Sequence, residues 1–336
     1  MVNSQEYWLP LEDGRMIDKH FVVVGSGFGG LAMAIRLKAH GANVTLVERL
    51  SNLGGRAQVF ERNGFIHDAG PTVITAPFLF DELFDLFGKD RRDYCELIPL
   101  STWYDFIFED GSKFSYKGDL DHTFDQIRQF EPSDVKGYKR LLELSESIFR
   151  VGFEQLSAQP FTRFWTMLKQ VPALLKLQSY RTVYGLVSKY ISNEKLRKVF
   201  SIHPLLVGGN PFTTTSIYTL IHFLERKWGI HFARGGTGAL VKSLEKLMTE
   251  EGVTIETNFD VTRIEINSQT KKVTGLLSAD GREIFCDGLV FNGDPPYAYE
   301  NLLPSDLKRQ ILRRSDSSTK FSMGLFVLFF GTKHVY

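Results

Sequence analysis

The segment from Phe21 to Glu48 constrains the chain most. Phe21-Val22-Val23-Val24 is a short apolar run suited to a strand buried on both faces. Gly25-Ser26-Gly27-Phe28-Gly29-Gly30 follows at once, and Leu31, Ala34 and Ile35 then recur at helical spacing until Gly41 supplies a stop. Val44-Thr45-Leu46-Val47 reads as a second strand, ending in the acid Glu48. Strand, G-x-G-x-x-G turn, helix, strand and acid, in that order, predict a Rossmann-like dinucleotide site. Gly25 permits the tight turn, Gly27 lets a pyrophosphate approach the backbone, and Gly30 lets the helix pack closely on the strand. The N–H groups at the helix start, Phe28 included, face the phosphates. Glu48, about 20 residues beyond the glycines, accepts from a ribose hydroxyl. A carboxylate there repels a 2′-phosphate, which disfavours NADP. This motif alone does not separate NAD from FAD.

Two further glycine segments bear on that choice. Leu53-Gly54-Gly55-Arg56-Ala57 follows the acid. Its glycines allow backbone to come close to a large ligand, and Arg56 suits a pyrophosphate or flavin. Asp68-Ala69-Gly70-Pro71-Thr72-Val73-Ile74 then places a Gly-Pro turn after an extended stretch. Each alone reads equally as a plain turn; the ordered trio is far more specific.

Gly25 to Gly30, Glu48, Gly54-Gly55-Arg56 and Asp68 to Thr72 resemble the flavin-binding start of the amine-oxidase and carotenoid-desaturase superfamily. Leu205-Leu206-Val207-Gly208-Gly209-Asn210-Pro211-Phe212, Ser216 to His222, and Trp228-Gly229 with Arg234-Gly235-Gly236-Thr237-Gly238-Ala239-Leu240 are similar to the bacterial phytoene desaturase family. The resemblance runs from about Phe21 to the end of the chain. It implies an α/β fold, with a Rossmann-like FAD-binding domain interleaved with an α+β substrate domain. It also implies FAD as cofactor, with contacts at Gly25, Gly27, Phe28, Gly30, Glu48, Arg49, Gly55, Arg56, Gly70, Pro71, Thr72, Val261 and Asp294. The implied reaction takes a hydride to the flavin and a proton from the adjacent carbon of a C40 polyene such as phytoene. Oxygen or a quinone would reoxidise the flavin. Against that family the chain reads as truncated, because relatives continue into a C-terminal third that carries a second glycine-rich motif.

The expected organisation is an N-terminal extension (1–20), a first FAD-binding part (21–100), a substrate and membrane-associating part (101–232), a second FAD-binding part (233–300) and the start of a second substrate part (301–336). In the first insertion, Trp103 to Phe108 and Lys113 to Tyr116 flank an Asp110-Gly111 turn and predict a hairpin. Ser133 is placed to cap a helix carrying Val135, Tyr138, Leu141, Leu142, Ile148 and Phe149. Gly238 opens a helix with Leu240, Val241, Leu244, Leu247 and Met248 on one face. Val253 to Thr257 begins a strand, Val273 to Phe285 reads as a hairpin about Asp280-Gly281, and Leu289-Val290-Phe291-Asn292 as a buried strand. Leu325 to Phe330 reads as a strand of the substrate domain.

Lys+Arg number 40 and Asp+Glu 39. That balance gives no reason to expect nucleic acid. The 28 phenylalanines fit a large aromatic core and an apolar tunnel equally. The two cysteines, Cys95 and Cys286, build no disulfide framework and no metal-ligand spacing, so no metal is expected. Met1 to His20 lacks the apolar core of a signal peptide, and no run approaches the roughly 20 apolar residues of a membrane span. A cytoplasmic protein is expected. Gln155 to Asn193 contains no acid and interleaves Arg163, Lys169, Lys176, Arg181 and Lys189 with aromatic and aliphatic residues. Such a stretch suits a membrane interface and a core-facing helix pair equally; a lipid-dissolved substrate tips the reading toward peripheral attachment at the inner face of the membrane.

No nucleophile elbow, zinc motif or diagnostic acid/base pair is present. His203, His222 and His231 lie near the signature stretches, and core histidines are the simpler reading. Some relatives carry an acidic residue in the segment after the position of Pro160-Phe161. Here that segment is Thr162-Arg163-Phe164-Trp165-Thr166-Met167, so no catalytic acid is assigned and the redox chemistry falls to the cofactor. The rival readings are a carotenoid isomerase, ketolase or C30 desaturase on the same scaffold, and a truncated fragment that binds carotenoid or membrane without chemistry. An NAD-dependent dehydrogenase is disfavoured by the second and third glycine segments.

Overall fold

The computed structural model describes residues 17–156, 164–305, 307, 322–324 and 326–334. The chain divides into two units. One is built from residues 17–98 and 232–305 together with 327–334; the other contains Pro99–His231.

In the first unit, strands His20–Val24, Asn43–Val47, Thr254–Glu256 and Gly288–Phe291 form a parallel sheet. The order across it places Gly288–Phe291 first, then His20–Val24, Asn43–Val47 and Thr254–Glu256. The register sets Val22 opposite both Thr45 and Leu289. Alternate residues of a strand point to opposite faces, and both faces here are apolar. Val23 and Leu46 pack with Leu31, Ala34 and Ile35 of the helix Phe28–Ala39 and with Leu244, Leu247 and Met248 of the helix Thr237–Glu250. Val22, Val24 and Val47 pack on the other side with Phe259, Val261, Ile264 and Leu276. The last three belong to an antiparallel sheet formed by Val261–Ile266, Val273–Ser278 and Glu283–Phe285. Burial on both faces explains why the central strand is a continuous run of valine rather than an alternating one.

The parallel strands all end at the same edge. The glycine turn leaves Val24, Glu48 follows Val47, and Asn292 follows Phe291. Open α/β sheets present ligand sites at this carboxyl edge.

The second unit holds the expected hairpin, with Thr102–Ile107 paired to Lys113–Lys117. Its core is aromatic: Phe114, Tyr116, Tyr138, Phe149 and Phe200 are fully buried, and Tyr138 stacks on Phe200 with ring centroids 4.4 Å apart. Phe114, Phe149 and Phe200 are thus core, whereas Phe60, Phe65, Phe212 and Phe285 are exposed. The helix Asp134–Phe149 buries Val135, Tyr138, Leu141, Ile148 and Phe149, while Leu142 is half-buried.

Two expectations need correction. Ser133 stands at the start of that helix but makes no capping bond. Its hydroxyl donates to Glu131 Oε1 at 2.7 Å instead, and its backbone is already helical. Residues 326–330 carry no strand pairing in the described structure; a strand needs a neighbouring ladder, and here Phe329 packs its ring against His67 at 5.2 Å. Leu325 lies outside the described residues, as do 1–16 of the expected extension. The basic aromatic stretch contains two described helices. Its helix Val183–Tyr190 buries Val183, Leu186 and Val187, whereas the helix Phe164–Lys176 exposes Leu168, Val171 and Leu175. Residues 157–163 lie outside the described part.

Candidate dinucleotide site

The site is a set of backbone approaches that only glycine allows. The helix Phe28–Ala39 starts at Gly27 with no side-chain cap and no acid in its first turn, so its free N–H groups and dipole remain available to an anion. A β-carbon on Gly30 would stand 1.9 Å from the carbonyl oxygen of Gly25. This is the close helix–strand packing expected of the third glycine. Phe28 sets its ring edge-on to Phe80 at 5.3 Å and packs in the core, so what it can offer a phosphate is its N–H.

The later glycine segments close onto the first. A β-carbon on Gly55 would lie 2.8 Å from Gly27 Cα, and one on Gly70 would lie 1.9 Å from the carbonyl oxygen of Arg56. Gly25, Gly27, Gly30, Gly55, Arg56 and Gly70 are thereby brought together. Arg56, Pro71 and Thr72 are exposed, with the Arg56 side chain free to reach a ligand. Glu48 is buried at the strand end, and its neighbour Arg49 is exposed. The backbone of Glu48 is held on both sides, donating to Glu256 O at 2.9 Å and accepting from Phe259 N at 2.8 Å. That pairing brings the 256–259 segment beside the acid, and Val261 shares a core cluster with Val47 and Phe259. Asp294 is exposed beyond the last parallel strand.

The sequence did not show which contacts hold the site together. Ser26 is fully buried and bonds to Glu48 through both its N–H (2.9 Å) and its hydroxyl (2.5 Å). Asn292 sets its side-chain amide against the glycine turn, 3.2 Å and 2.5 Å from where β-carbons on Gly27 and Gly29 would stand. Asp68 Oδ1 accepts from Gly238 N at 3.3 Å, and Thr237 Oγ1 donates to Pro71 O at 2.6 Å. The Arg234–Leu240 signature thus docks the helix Thr237–Glu250 onto the third glycine segment, and a side-chain carboxylate satisfies that helix start. Sequence placed Asn292 at a strand end, Asp68 at the head of the third glycine segment and Ser26 inside the first, without showing what each side chain would meet.

The second unit contains a buried polar cluster. Glu225 accepts from Tyr104 OH at 2.9 Å and from His203 Nε2 at 3.0 Å. His222 Nε2 donates to Phe200 O at 2.9 Å. Burial pushes the His222 imidazole well below the ordinary histidine range, with neighbouring His203 adding to the effect. Burial, then the nearby Glu225 charge, drive the Tyr104 phenol up. Both histidines are core residues, as read. The Arg226 guanidinium lies 4.5 Å over the Tyr116 ring and donates to Thr123 Oγ1 at 3.0 Å. No group of three or more metal-ligating side chains occurs among the described residues.

Sheet, glycine turn and terminal acid define a dinucleotide-binding α/β protein. Residues 28–334 match the model of the flavin containing amine oxidoreductase family, and the chain belongs to that family. Its cofactor is FAD, and the glycine cradle, the uncapped helix start and the buried Glu48 fit it. The chain is 45% identical to a lycopene-forming phytoene desaturase of Pantoea ananas over 94% of its own length and 64% of the relative's. It is likewise 45% identical to one of Pseudescherichia vulneris, over 93% and 63%, and 32% identical to a 4,4'-diapophytoene desaturase of Staphylococcus haemolyticus, over 92% and 62%. It therefore spans a little under two-thirds of the length of these relatives. Among solved structures, the PF1083 protein of Pyrococcus furiosus matches with a TM-score of 0.59 at 19% identity, covering 90% of this chain and 66% of that one. Putrescine oxidase bound to putrescine matches at 0.58 and 13%, covering 87% and 62%. These two likenesses concern the fold.

Proposed function

We propose that the protein is the FAD-bearing part of a carotenoid desaturase that introduces double bonds into a C40 precursor such as phytoene. The observation that carries this is the 45% identity to two lycopene-forming phytoene desaturases over nearly the whole chain. The lower identity of 32% to a diapophytoene desaturase favours the C40 over the C30 substrate. FAD, when bound, supplies the acceptor for a hydride removed from carbon; a proton leaves the neighbouring carbon, and the single bond becomes double. The chain's own residues do the holding. Gly25, Gly27 and Gly30 let the pyrophosphate reach the helix start, Glu48 takes the ribose, and Arg56 faces the pyrophosphate or flavin. Gly70, Pro71 and Thr72 line the third segment; Val261, its side chain buried in the core, would offer only backbone, and Asp294 would reach the site from beyond the last parallel strand. A cation developing on the substrate would be delocalised along the polyene, which lowers the demand for a strong protein base.

In this reading Pro99–His231 belongs to the substrate and membrane-associating part. Leu168, Val171 and Leu175 fall on one stripe of the helix Phe164–Lys176, each more than 40% exposed, with Lys176 in its last turn. An apolar stripe ending in a lysine suits a peripheral site at the inner membrane face. No described helix is long and apolar enough to cross a membrane. Reconstitution with FAD and phytoene-loaded liposomes tests the proposal. New visible absorption from a lengthened polyene is expected; unchanged phytoene with flavin retained would contradict it.

A further inference from the structure

The acceptor positions of Glu48 are mostly taken before any cofactor arrives. Oε2 accepts from Ser26 N at 2.9 Å and from Ser26 Oγ at 2.5 Å. Oε1 accepts from Leu50 N at 3.0 Å. A carboxylate offers about four acceptor positions, two on each oxygen, so one remains, on Oε1. The Ser26 hydroxyl is itself engaged on its other side, accepting from Gly54 N at 3.2 Å, and Gly54 N also reaches Ser26 O at 3.1 Å. Ser26 is fully buried, and Glu48 is 7% exposed. One hydroxyl therefore ties the acid at the end of the second strand to the second glycine segment, and it leaves the carboxylate little freedom to turn.

We propose that Ser26 is a positioning residue of the dinucleotide site: by occupying Oε2 of Glu48 it presents Oε1 alone, so that the acid accepts a single hydroxyl of the cofactor's adenosine ribose rather than both. This rests on the flavin reading of the site. A freely turning carboxylate can take a vicinal diol with both oxygens; a pinned one discriminates between the two hydroxyls. The same pin relays the position of the ribose end to Gly54-Gly55-Arg56, since Gly54 hangs on the Ser26 hydroxyl.

Dissociation constants measured by flavin fluorescence test this directly. The ligands are FAD and its two analogues lacking the adenosine 2′- or 3′-hydroxyl. With the wild-type chain, one analogue should lose about tenfold or more in affinity, the range for a hydrogen bond to a charged group, and the other less than about twofold. In Ser26→Ala, affinity for FAD should fall about tenfold, and removal of the sensitive hydroxyl should then cost less than about threefold. That non-additivity is the mark of a shared interaction, and a merely structural serine would not produce it. If Ser26→Ala fails to fold, Ser26→Cys, a near-isostere with a weaker donor, should give discrimination between the two. Equal losses from both analogues in the wild type would overturn the inference, as would equal losses in Ser26→Ala for all three ligands. Failure of the wild type to bind FAD at all would overturn the flavin reading, and the inference with it.

Discussion

Gly55 lies against Gly27 so closely that a β-carbon on the first would stand 2.8 Å from the α-carbon of the second. Gly55 also has φ +55°, where a side chain adds strain. Gly55→Ala should therefore push the second glycine segment off the first, at about 1–3 kcal/mol, and release FAD. Far-UV circular dichroism should stay near wild type, because the two positions lie in turns at the sheet edge. Flavin retained at wild-type stoichiometry would count against the packing argument.

Asp68 and Gly238 are 170 residues apart in sequence yet joined by a carboxylate-to-N–H bond at 3.3 Å. Asp68→Ala removes the acceptor at the start of the helix Thr237–Glu250 and should cost about 1 kcal/mol. Asp68→Asn, which keeps an oxygen acceptor, should cost less. Urea unfolding of both variants checks this, and equal losses would mean that the charge rather than the bond matters.

The pH dependence of stability should carry the mark of His222. Its folded pKa is depressed by burial, whereas the unfolded side chain titrates near 6.5. The unfolded state thus binds the extra proton first, and the contribution is fully present above about pH 6.5 and lost as pH falls below it. Between pH 7.5 and 5.5 this one group should remove about 1.4 kcal/mol. His222→Gln should flatten the profile by that amount. An unchanged slope would place the proton uptake elsewhere.

Leu168 and Leu175 offer a direct test of membrane attachment. Each leucine inserted into lipid contributes roughly 1.5–3 kcal/mol. Leu168→Glu with Leu175→Glu should lower partitioning onto anionic liposomes by more than about tenfold without altering FAD binding. Undiminished flotation with the vesicles would move the contact to another surface.

The nucleotide unit was legible in the sequence because its signal is local. Phe21 to Glu48 writes strand, turn, helix, strand and acid in consecutive residues, and burial on both faces leaves an unbroken valine run. Leu240, Val241, Leu244, Leu247 and Met248 declared their helix in the same way. What stayed hidden depends on distant partners. Ser26 reads as a free position inside the glycine motif until Glu48, 22 residues on, is folded against it. The pairing of His203 with Glu225 has no periodic signature at all. Residues 326–330, unpaired despite their apolar run, show the converse: strand-like composition specifies a propensity, and only a neighbouring ladder makes it a strand.

If the glycine cradle holds FAD, the purified chain should be coloured and a side chain inside the cradle should bleach it. The most direct measurement is the visible absorption of the chain purified with added FAD, after free flavin has been removed, with Gly30→Ala alongside. A β-carbon at Gly30 would meet the Gly25 carbonyl at 1.9 Å. A flavin spectrum in the wild type and its loss in Gly30→Ala are predicted. A colourless wild type, or flavin held equally by both, would contradict the account.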